Sequence, residues 1–196
     1  MDRLRLLCLV AFTWIASLLT GCGANVAVIR QAEPNPFVGS PRFEVAALDS
    51  KGLLVGEMSE EQYLASKDEA QRASFLEDKA AMAERFQAGF TDAATDAGLG
   101  VGAGAPFVVR PRLVFVEPGF YAVLASGASQ ARMRVAITTA DGKVLDEIEL
   151  AHSTDSRSGM SVGGISTNPS SGGRLRADAE AIGAAVGEYL AERAGR

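Results

Sequence analysis

Cysteine and histidine are scarce in this sequence. It contains two cysteines, Cys8 and Cys22, and a single histidine, His152, among 196 residues. No cysteine follows position 22, so the chain beyond it can form no disulfide, no thiolate zinc cluster and no cysteine nucleophile. A metal site built from several histidines is excluded for the same reason. Catalysis and metal binding therefore have few side chains available.

An excess of positive charge is also lacking. Lysine and arginine number 19 against 24 aspartates and glutamates, which gives a net charge of −5. No basic stripe is present to neutralise phosphates, and no polybasic patch is present to bind anionic lipid headgroups. The composition therefore argues against nucleic acid as a partner.

The apolar run near the N terminus is too short to be a comfortable membrane span. Arg3 and Arg5 give a basic start, and residues 6–19 follow, interrupted only by Thr13 and Ser17. A helix of roughly 14 residues is about 21 Å long, which is less than the ~30 Å hydrocarbon core of a bilayer. This layout is typical of an export signal that is removed after secretion.

The four residues at the end of this run, Leu19-Thr20-Gly21-Cys22, resemble at every position the lipobox of bacterial lipoproteins. The resemblance implies that diacylglycerol is attached to the Cys22 sulfur and that cleavage after Gly21 removes a signal peptide of residues 1–21. Two or three acyl chains would give stable anchoring. Gly23 stands where an aspartate would retain such lipoproteins in the inner membrane, so the resemblance implies the outer membrane, facing the periplasm. The inner membrane, the cell surface and an ordinary signal with a chance cysteine remain alternatives.

The segment after the lipobox is predicted to be a lipidated tether, residues 22–41. Pro34, Pro36 and Pro41 punctuate it, and a coil of about 19 residues spans about 25 Å. The tether would let the domain stand off the membrane. Residues 26–29 are apolar, and their docking as a short edge strand is the alternative.

Residues 42–196 are predicted to form a single domain. A β-prone run comes first, and a long helical region at 59–97 follows it, with possible capping boxes at Ser59 and Ser66. Its apolar residues recur at helical spacing, as do those of a final helix that begins near Arg174. Gly183 and Gly187 are predicted to let that final helix lie close to the sheet.

Three longer strands are predicted between the two helical regions. Residues 107–116 form one strand, in which Pro111 indicates an edge position or a bulge. Residues 130–140 and 143–151 form a hairpin around Asp141-Gly142. In that register Ile148 faces Val135, Leu150 faces Met133, and Val144 shares their side. Asp146 interrupts the apolar face opposite Ile137 and is assigned to the rim of the sheet. On the other side, Arg134 lies opposite Glu149, with Arg132 and Glu147 on the diagonals.

The glycine-rich stretch at 98–104 does not predict a nucleotide site. A phosphate-binding turn follows a strand and opens a helix, whereas this stretch follows a helix and precedes a strand. No other cofactor-binding motif is present, so no cofactor is predicted.

His152 is the remaining residue with catalytic potential. It lies beside Ser153, Thr154 and Asp155, but neighbours in sequence cannot form the geometry of a triad. It is interpreted as a surface histidine at the end of a strand. The polar segment 153–173 that follows is long enough to be either functional or mobile.

The order of elements predicts an α+β fold, a two-layer sandwich. A mainly antiparallel sheet of four to five strands would carry the long helix and the C-terminal helix on one face. The stretch from 110 to 190 resembles small α/β lipoprotein domains of unknown function, through its glycine-containing segment at 119–127, the Asp-Gly-Lys-Val-Leu hairpin and the Arg-x-x-Ala start at 174–177. Those domains are similar to modules of the curli-secretion lipoprotein and of the amino-terminal half of TolB.

These observations predict a lipid-anchored envelope lipoprotein that acts as a non-enzymatic binding or assembly module. The expected partners are the membrane, through Cys22, and another envelope protein that contacts the face carrying segment 153–173. The alternative is a periplasmic hydrolase that uses His152 with a distant carboxylate. The sequence does not indicate an oligomeric state.

Overall fold

The computed structural model describes residues 24–122, 125–154 and 170–196. Within these residues, ten strands and three helices follow one another along the chain. The strands are β1 Asn25–Arg30, β2 Arg42–Val45, β3 Leu54–Val55, β4 Met58–Ser59, β5 Gly100–Val101, β6 Phe107–Glu117, β7 Phe120–Ala122, β8 Ala125–Gly127, β9 Ser129–Thr139 and β10 Val144–Thr154. The helices are α1 Glu60–Ala65, α2 Glu69–Asp96 and α3 Ser171–Ala194.

The main sheet is larger than predicted and of mixed direction. In the described residues it has eight strands rather than four to five, in the order β1-β10-β9-β6-β2-β5, with β3 paired to β6 and β4 to β3. The β1-β10-β9-β6 part is antiparallel, whereas β2 and β3 pair with β6 in parallel. The additional strands β3, β4 and β5 have two residues each, too few to produce a recognisable alternation of apolar residues.

The two-layer α+β arrangement itself is confirmed. One face of β9 is fully buried at Ala131, Met133, Val135 and Ile137, while Arg134 on the other face is exposed. The buried face shares one hydrophobic core with the apolar stripes of α2 and α3. Both long helices therefore cover one side of the sheet, and within the described residues the other side is open.

The predicted hairpin register is confirmed over most of its length. Ile148 lies opposite Val135, and Leu150 lies opposite Met133. A register shift between Val144 and Asp146 then places Val144 opposite Thr138, on the open face rather than with the core residues. Such a bulge adds one residue to a strand, so that each side chain beyond it lies on the opposite face from the one that simple alternation predicts.

Pro111 does not mark an edge, because β6 lies inside the sheet between β9 and the parallel strands. The β2 pairing ends at Val109, and the β3 pairing begins at Phe115. Between them, the backbone of Asp49 donates to the carbonyl of Pro111 and accepts from Leu113. The missing N–H of the proline therefore falls in the gap between two neighbouring strands.

The long helical region divides into two helices, each with its own capping box. Ser59 and Gln62 form the predicted box of α1. The box of α2 is formed by Asp68 and Gln71, not by Ser66, whose backbone instead ends α1. A carboxylate accepts well from the free N–H groups of a first turn, which accounts for the preference for Asp68.

Glycines bring α2 and α3 into backbone contact. A Cβ built on Gly183 would lie 2.2 Å from the carbonyl oxygen of Phe86, and one on Gly89 would lie 2.2 Å from that of Glu180. One on Gly187 would lie 2.8 Å from the Cβ of Ala93. The prediction that Gly183 and Gly187 face the sheet is wrong, because they face the other helix.

The N-terminal segment is not the free tether that the sequence predicted. Residues Asn25–Arg30 form β1 and pair with β10, and Phe37 is completely buried in the core. The alternative of an edge strand is therefore confirmed in the structure. Prolines end regular secondary structure, but they do not prevent the neighbouring side chains from packing.

Candidate functional site

His152 belongs to a polar cluster at one end of the sheet, between the sheet and α3. Side chains alternate along β10, so that Ile148, Leu150, His152 and Thr154 all face the helices. The last two positions are polar and meet Asp178 of α3. The apolar face of the strand thus ends in a hydrogen-bonded site, which we term the Asp178 cluster: Ser129, His152, Thr154 and Asp178.

Asp178 is the centre of this cluster and is fully buried. Its Oδ1 lies 2.8 Å from His152 Nδ1 and accepts from Thr154 Oγ1 at 2.5 Å. Its Oδ2 accepts from Ser129 Oγ at 2.7 Å. A buried carboxylate needs such donors to compensate for lost hydration. The cluster therefore joins the first turns of α3 to the ends of β9 and β10.

A second buried charge lies one helical turn before Asp178. Arg174 is fully buried, and its Nη2 donates to the carbonyl oxygens of Pro118 and Gly127, each at 3.5 Å. Residues four apart on a helix share a face. The start of α3 therefore places charged groups of both signs in the interior.

The geometry of His152 is that of an imidazole held by a carboxylate. When Nδ1 carries the proton and donates it to Asp178, Nε2 is left as the basic nitrogen. The side chain is 18% exposed, which corrects the interpretation of a plain surface histidine. The buried acidic partner that a hydrolase would need is thus present.

The neighbouring hydroxyl groups are engaged elsewhere. Ser153 Oγ donates to the carbonyl oxygen of Ser129 at 2.7 Å, and Thr154 donates to Asp178. Neither is placed as a nucleophile on His152 Nε2. In the described part of the chain, the cluster contains an acid–imidazole pair without an adjacent activated hydroxyl.

Asp146 forms a second buried polar cluster, at the opposite end of α3. Its Oδ1 accepts from the backbone N–H of Ala32 at 2.8 Å, and its Oδ2 accepts from Tyr189 Oη at 2.6 Å. Arg193 Nε donates to Oδ2 at 3.0 Å, and its Nη2 donates to the carbonyl of Ala32 at 3.0 Å. The assignment of Asp146 to the rim is wrong, since its side chain is 0% exposed.

The Asp146 cluster fastens the N-terminal segment to α3. Gln31 Nε2 donates to Tyr189 Oη at 3.0 Å, and Asn35 Nδ2 donates to the Arg193 carbonyl at 2.6 Å. The Arg193 guanidinium also lies 5.8 Å from the centre of the buried Phe37 ring. Burial, and then the hydrogen bond to the Asp146 carboxylate, raise the pKa of Tyr189. The residues after β1 are therefore a fixed part of the domain.

The open face of the sheet carries ion pairs around a shallow cavity of about 380 Å³. Arg134 pairs with Glu149 at 3.0 Å and with Glu147 at 3.7 Å, which confirms the predicted contacts across the strands. Arg112 pairs with Asp49 at 2.8 Å. Exposed pairs of this kind contribute little to stability. Among the described residues, this face is polar, carries charges of both signs and is accessible.

Several predicted features lie outside the described residues. They include Gly21 and Cys22 and most of the segment 153–173, of which only Ser153, Thr154 and residues 170–173 are described. In the described ranges, no group of three or more metal-binding side chains converges. None of the helices described is long and apolar enough to span a bilayer.

The sequence did not reveal Asp178 or the buried position of Asp146, the two carboxylates at the centres of these clusters. Asp146 interrupted an apolar strand face, and Asp178 lies within the apolar stripe of α3 beside Ala179. A charge within a predicted core face indicates a buried partner. The partners, Arg193 and His152, are far away in sequence, so the pairs could not be assigned from spacing.

Comparisons with known proteins give weak structural similarity. No family model matches the chain, and no curated protein matches it. Among solved structures, a PelC dodecamer from Paraburkholderia phytofirmans is 8% identical, with a TM-score of 0.45 over 82% of this chain and 96% of that one. A variant PelC dodecamer in another space group is 12% identical, with a TM-score of 0.40 over 82% and 95%. The hypothetical protein CT253 from Chlamydia trachomatis is 15% identical, with a TM-score of 0.42 over 78% and 98%. Similarity at this level assigns no function.

Proposed function

We propose that this protein is a cell-envelope lipoprotein, anchored through Cys22, which acts as a non-enzymatic binding or assembly module. The observation that carries the proposal is the complete lipobox at Leu19-Thr20-Gly21-Cys22 directly before a folded α+β domain. Gly23 favours the outer membrane, with the domain in the periplasm. The envelope partner is expected to contact the face that carries segment 153–173, and the open polar face of the sheet is the alternative surface for that contact.

The anchor is tested by growth with labelled palmitate. Wild-type protein and a Cys8→Ser variant should incorporate the label equally, because Cys8 leaves with the signal peptide. A Cys22→Ser variant should incorporate none and should lose its membrane association. Labelling that persists in Cys22→Ser, or that is lost in Cys8→Ser, would contradict the proposal.

The partner is tested by cross-linking in the native envelope. Proteins captured by the wild type are compared with those captured after deletion of residues 157–170 and with those captured by an Arg134→Glu variant of the open face. The proposal expects capture to be lost with the deletion. Loss only in Arg134→Glu would move the contact to the open face, and specific capture by neither the wild type nor the variants would refute an envelope partner.

Hydrolysis is a second candidate function, and one observation favours it. The carboxylate of Asp178 holds His152 Nδ1, as in enzymes that use a histidine base. Turnover of p-nitrophenyl acetate by the wild type should then exceed that by His152→Gln. Equal rates would eliminate this candidate.

A further inference from the structure

The link between Cys22 and the folded domain is very short. Ala24 already packs against the hydrophobic core, and Asn25 begins β1 opposite Ala151. Only Gly23 separates Cys22 from Ala24. Two steps of the backbone cover at most about 7.6 Å. A lipid on Cys22 would therefore hold the domain directly at the membrane surface, not on a 25 Å tether.

The start of β1 is also firmly held. Its backbone pairs with β10 from Asn25 to Arg30, although its side chains are exposed. The residues that follow are fixed by the Asp146 cluster and by the burial of Phe37. Release of β1 to lengthen the link would break its backbone pairing with β10, and release beyond Arg30 would in addition expose Phe37 and break the contacts of Asp146.

One end of the sheet lies level with this attachment point. One row of paired residues crosses the sheet from β1 to β3 at this level. Its members, in the order β1, β10, β9, β6 and β3, are Asn25, Ala151, Arg132, Phe115 and Leu54. Five strands thus reach the same level where β1 begins.

The next row continues beyond that level. Ser153 lies opposite Gln130, which lies opposite Glu117, and the backbone N–H of Gly56 donates to the carbonyl of Val116. The β3–β4 turn at Gly56 and Glu57 therefore lies at this end too. We term the two rows, with the β3–β4 turn, the anchor end.

Resting on the proposed lipidation of Cys22, we propose that the anchor end faces the bilayer and contacts the lipid headgroups. Apolar side chains are exposed there: Leu54, in the first row, is 48% exposed, and Met58, directly after the β3–β4 turn, is 38% exposed. Partly exposed apolar groups beside polar ones suit the interfacial layer of a membrane. Lys143, which directly precedes the opposite end of β10, is ten residues from Ser153, or about 33 Å along an extended strand. That end should point into the periplasm.

The orientation can be measured with single cysteines, because lipidated Cys22 cannot react with a thiol probe. Ser153→Cys and Glu57→Cys report on the anchor end, whereas Lys143→Cys and Asp96→Cys report on the far ends of β10 and α2. All four positions are exposed. Each lipidated variant is labelled with a bimane fluorophore and reconstituted in phosphatidylethanolamine–phosphatidylglycerol vesicles that contain a lipid with a headgroup nitroxide.

The proposal expects most of the fluorescence to be lost at Ser153 and Glu57 and none at Lys143 and Asp96. The use of Glu57, in the β3–β4 turn on the side of this end that lies away from β1, shows whether the entire end faces the lipid. Equal quenching at Ser153 and Lys143 would mean that the β1 edge lies flat on the membrane, and would overturn the proposal. Absence of quenching at all four positions would overturn it as well.

Two controls separate the causes. A flexible glycine–serine insert of about 20 residues after Gly23 spans roughly 25 Å and should abolish quenching at Ser153 while the protein stays on the vesicles. Unchanged quenching in this variant would contradict the short link as the cause. If the Cys22→Ser variant still binds the vesicles, the proposed anchor is refuted. If binding requires Cys22 but quenching is the same at both ends of the domain, only the orientation is refuted.

Discussion

Replacement of Asp146 by asparagine keeps the shape of the side chain but removes the charge that pairs with Arg193. Asp146 is fully buried, and Arg193 is 12% exposed with its Nε 3.0 Å from the carboxylate. Removal of one partner of a buried pair leaves the other charge uncompensated and costs about 3–5 kcal/mol. The total free energy of unfolding of a domain is about 5–15 kcal/mol. We therefore expect Asp146→Asn to remove a large part of the free energy of unfolding.

Urea denaturation of residues 24–196, produced without the signal peptide and Cys22, measures this loss. The matched control is Glu147→Gln at the next position, where the carboxylate lies on the open face and pairs with Arg134 at 3.7 Å. That change should cost at most about 1 kcal/mol. In a double-mutant cycle, Arg193→Met should recover part of the loss caused by Asp146→Asn. Equal destabilisation by Asp146→Asn and Glu147→Gln would refute the role of the Asp146 cluster in fastening the N-terminal segment to α3.

Three further predictions concern the helices. Gly183→Ala should cost about 3 kcal/mol in thermal unfolding, because its Cβ would lie 2.2 Å from the Phe86 carbonyl oxygen and would force the helices apart; an unchanged melting temperature would contradict this. In urea denaturation, Asp178→Asn should lower the free energy of unfolding by about 2 kcal/mol more than His152→Asn does, because Asp178 contacts three donors whereas His152 contacts one acceptor. A larger loss in His152→Asn would disprove the central role of Asp178. The pKa of Tyr189 is raised in the folded protein above the unfolded value of about 10, so the hydroxyl group contributes its full stabilisation below pH 10 and loses it as the pH rises further. Tyr189→Phe should therefore flatten the dependence of the free energy of unfolding on pH above pH 10. An identical slope in the wild type and the variant would contradict the raised pKa.

The periodic parts of the fold were accessible from the sequence. The β9–β10 hairpin, with Ile148 opposite Val135, follows from alternation around an Asp-Gly turn. The apolar stripe of α3, from Leu175 to Leu190, follows from helical spacing and is buried as predicted. These elements determine their own register locally, so they needed no knowledge of distant contacts.

The parts that depend on distant partners were not accessible. The sequence predicts a tether at residues 22–41 because three prolines punctuate it. In the structure, however, Phe37 packs in the core, and the backbone of Ala32 donates to the Asp146 carboxylate. For His152 the sequence predicts a surface position at the end of a strand, because its buried partner Asp178 lies beyond the polar segment 153–173. Contacts of long sequence separation leave no periodic signal in a single sequence.

Mass spectrometry of the N-terminal peptide from membrane-extracted protein tests directly whether Cys22 is the lipid anchor. If the protein is anchored as proposed, this peptide begins with Cys22, which is followed directly by Gly23 and Ala24, and the Cys22 sulfur carries diacylglycerol. The same preparation should contain no peptide from residues 1–21. A mature chain that begins elsewhere, or an unmodified Cys22, would contradict both the anchor and the short link to the domain.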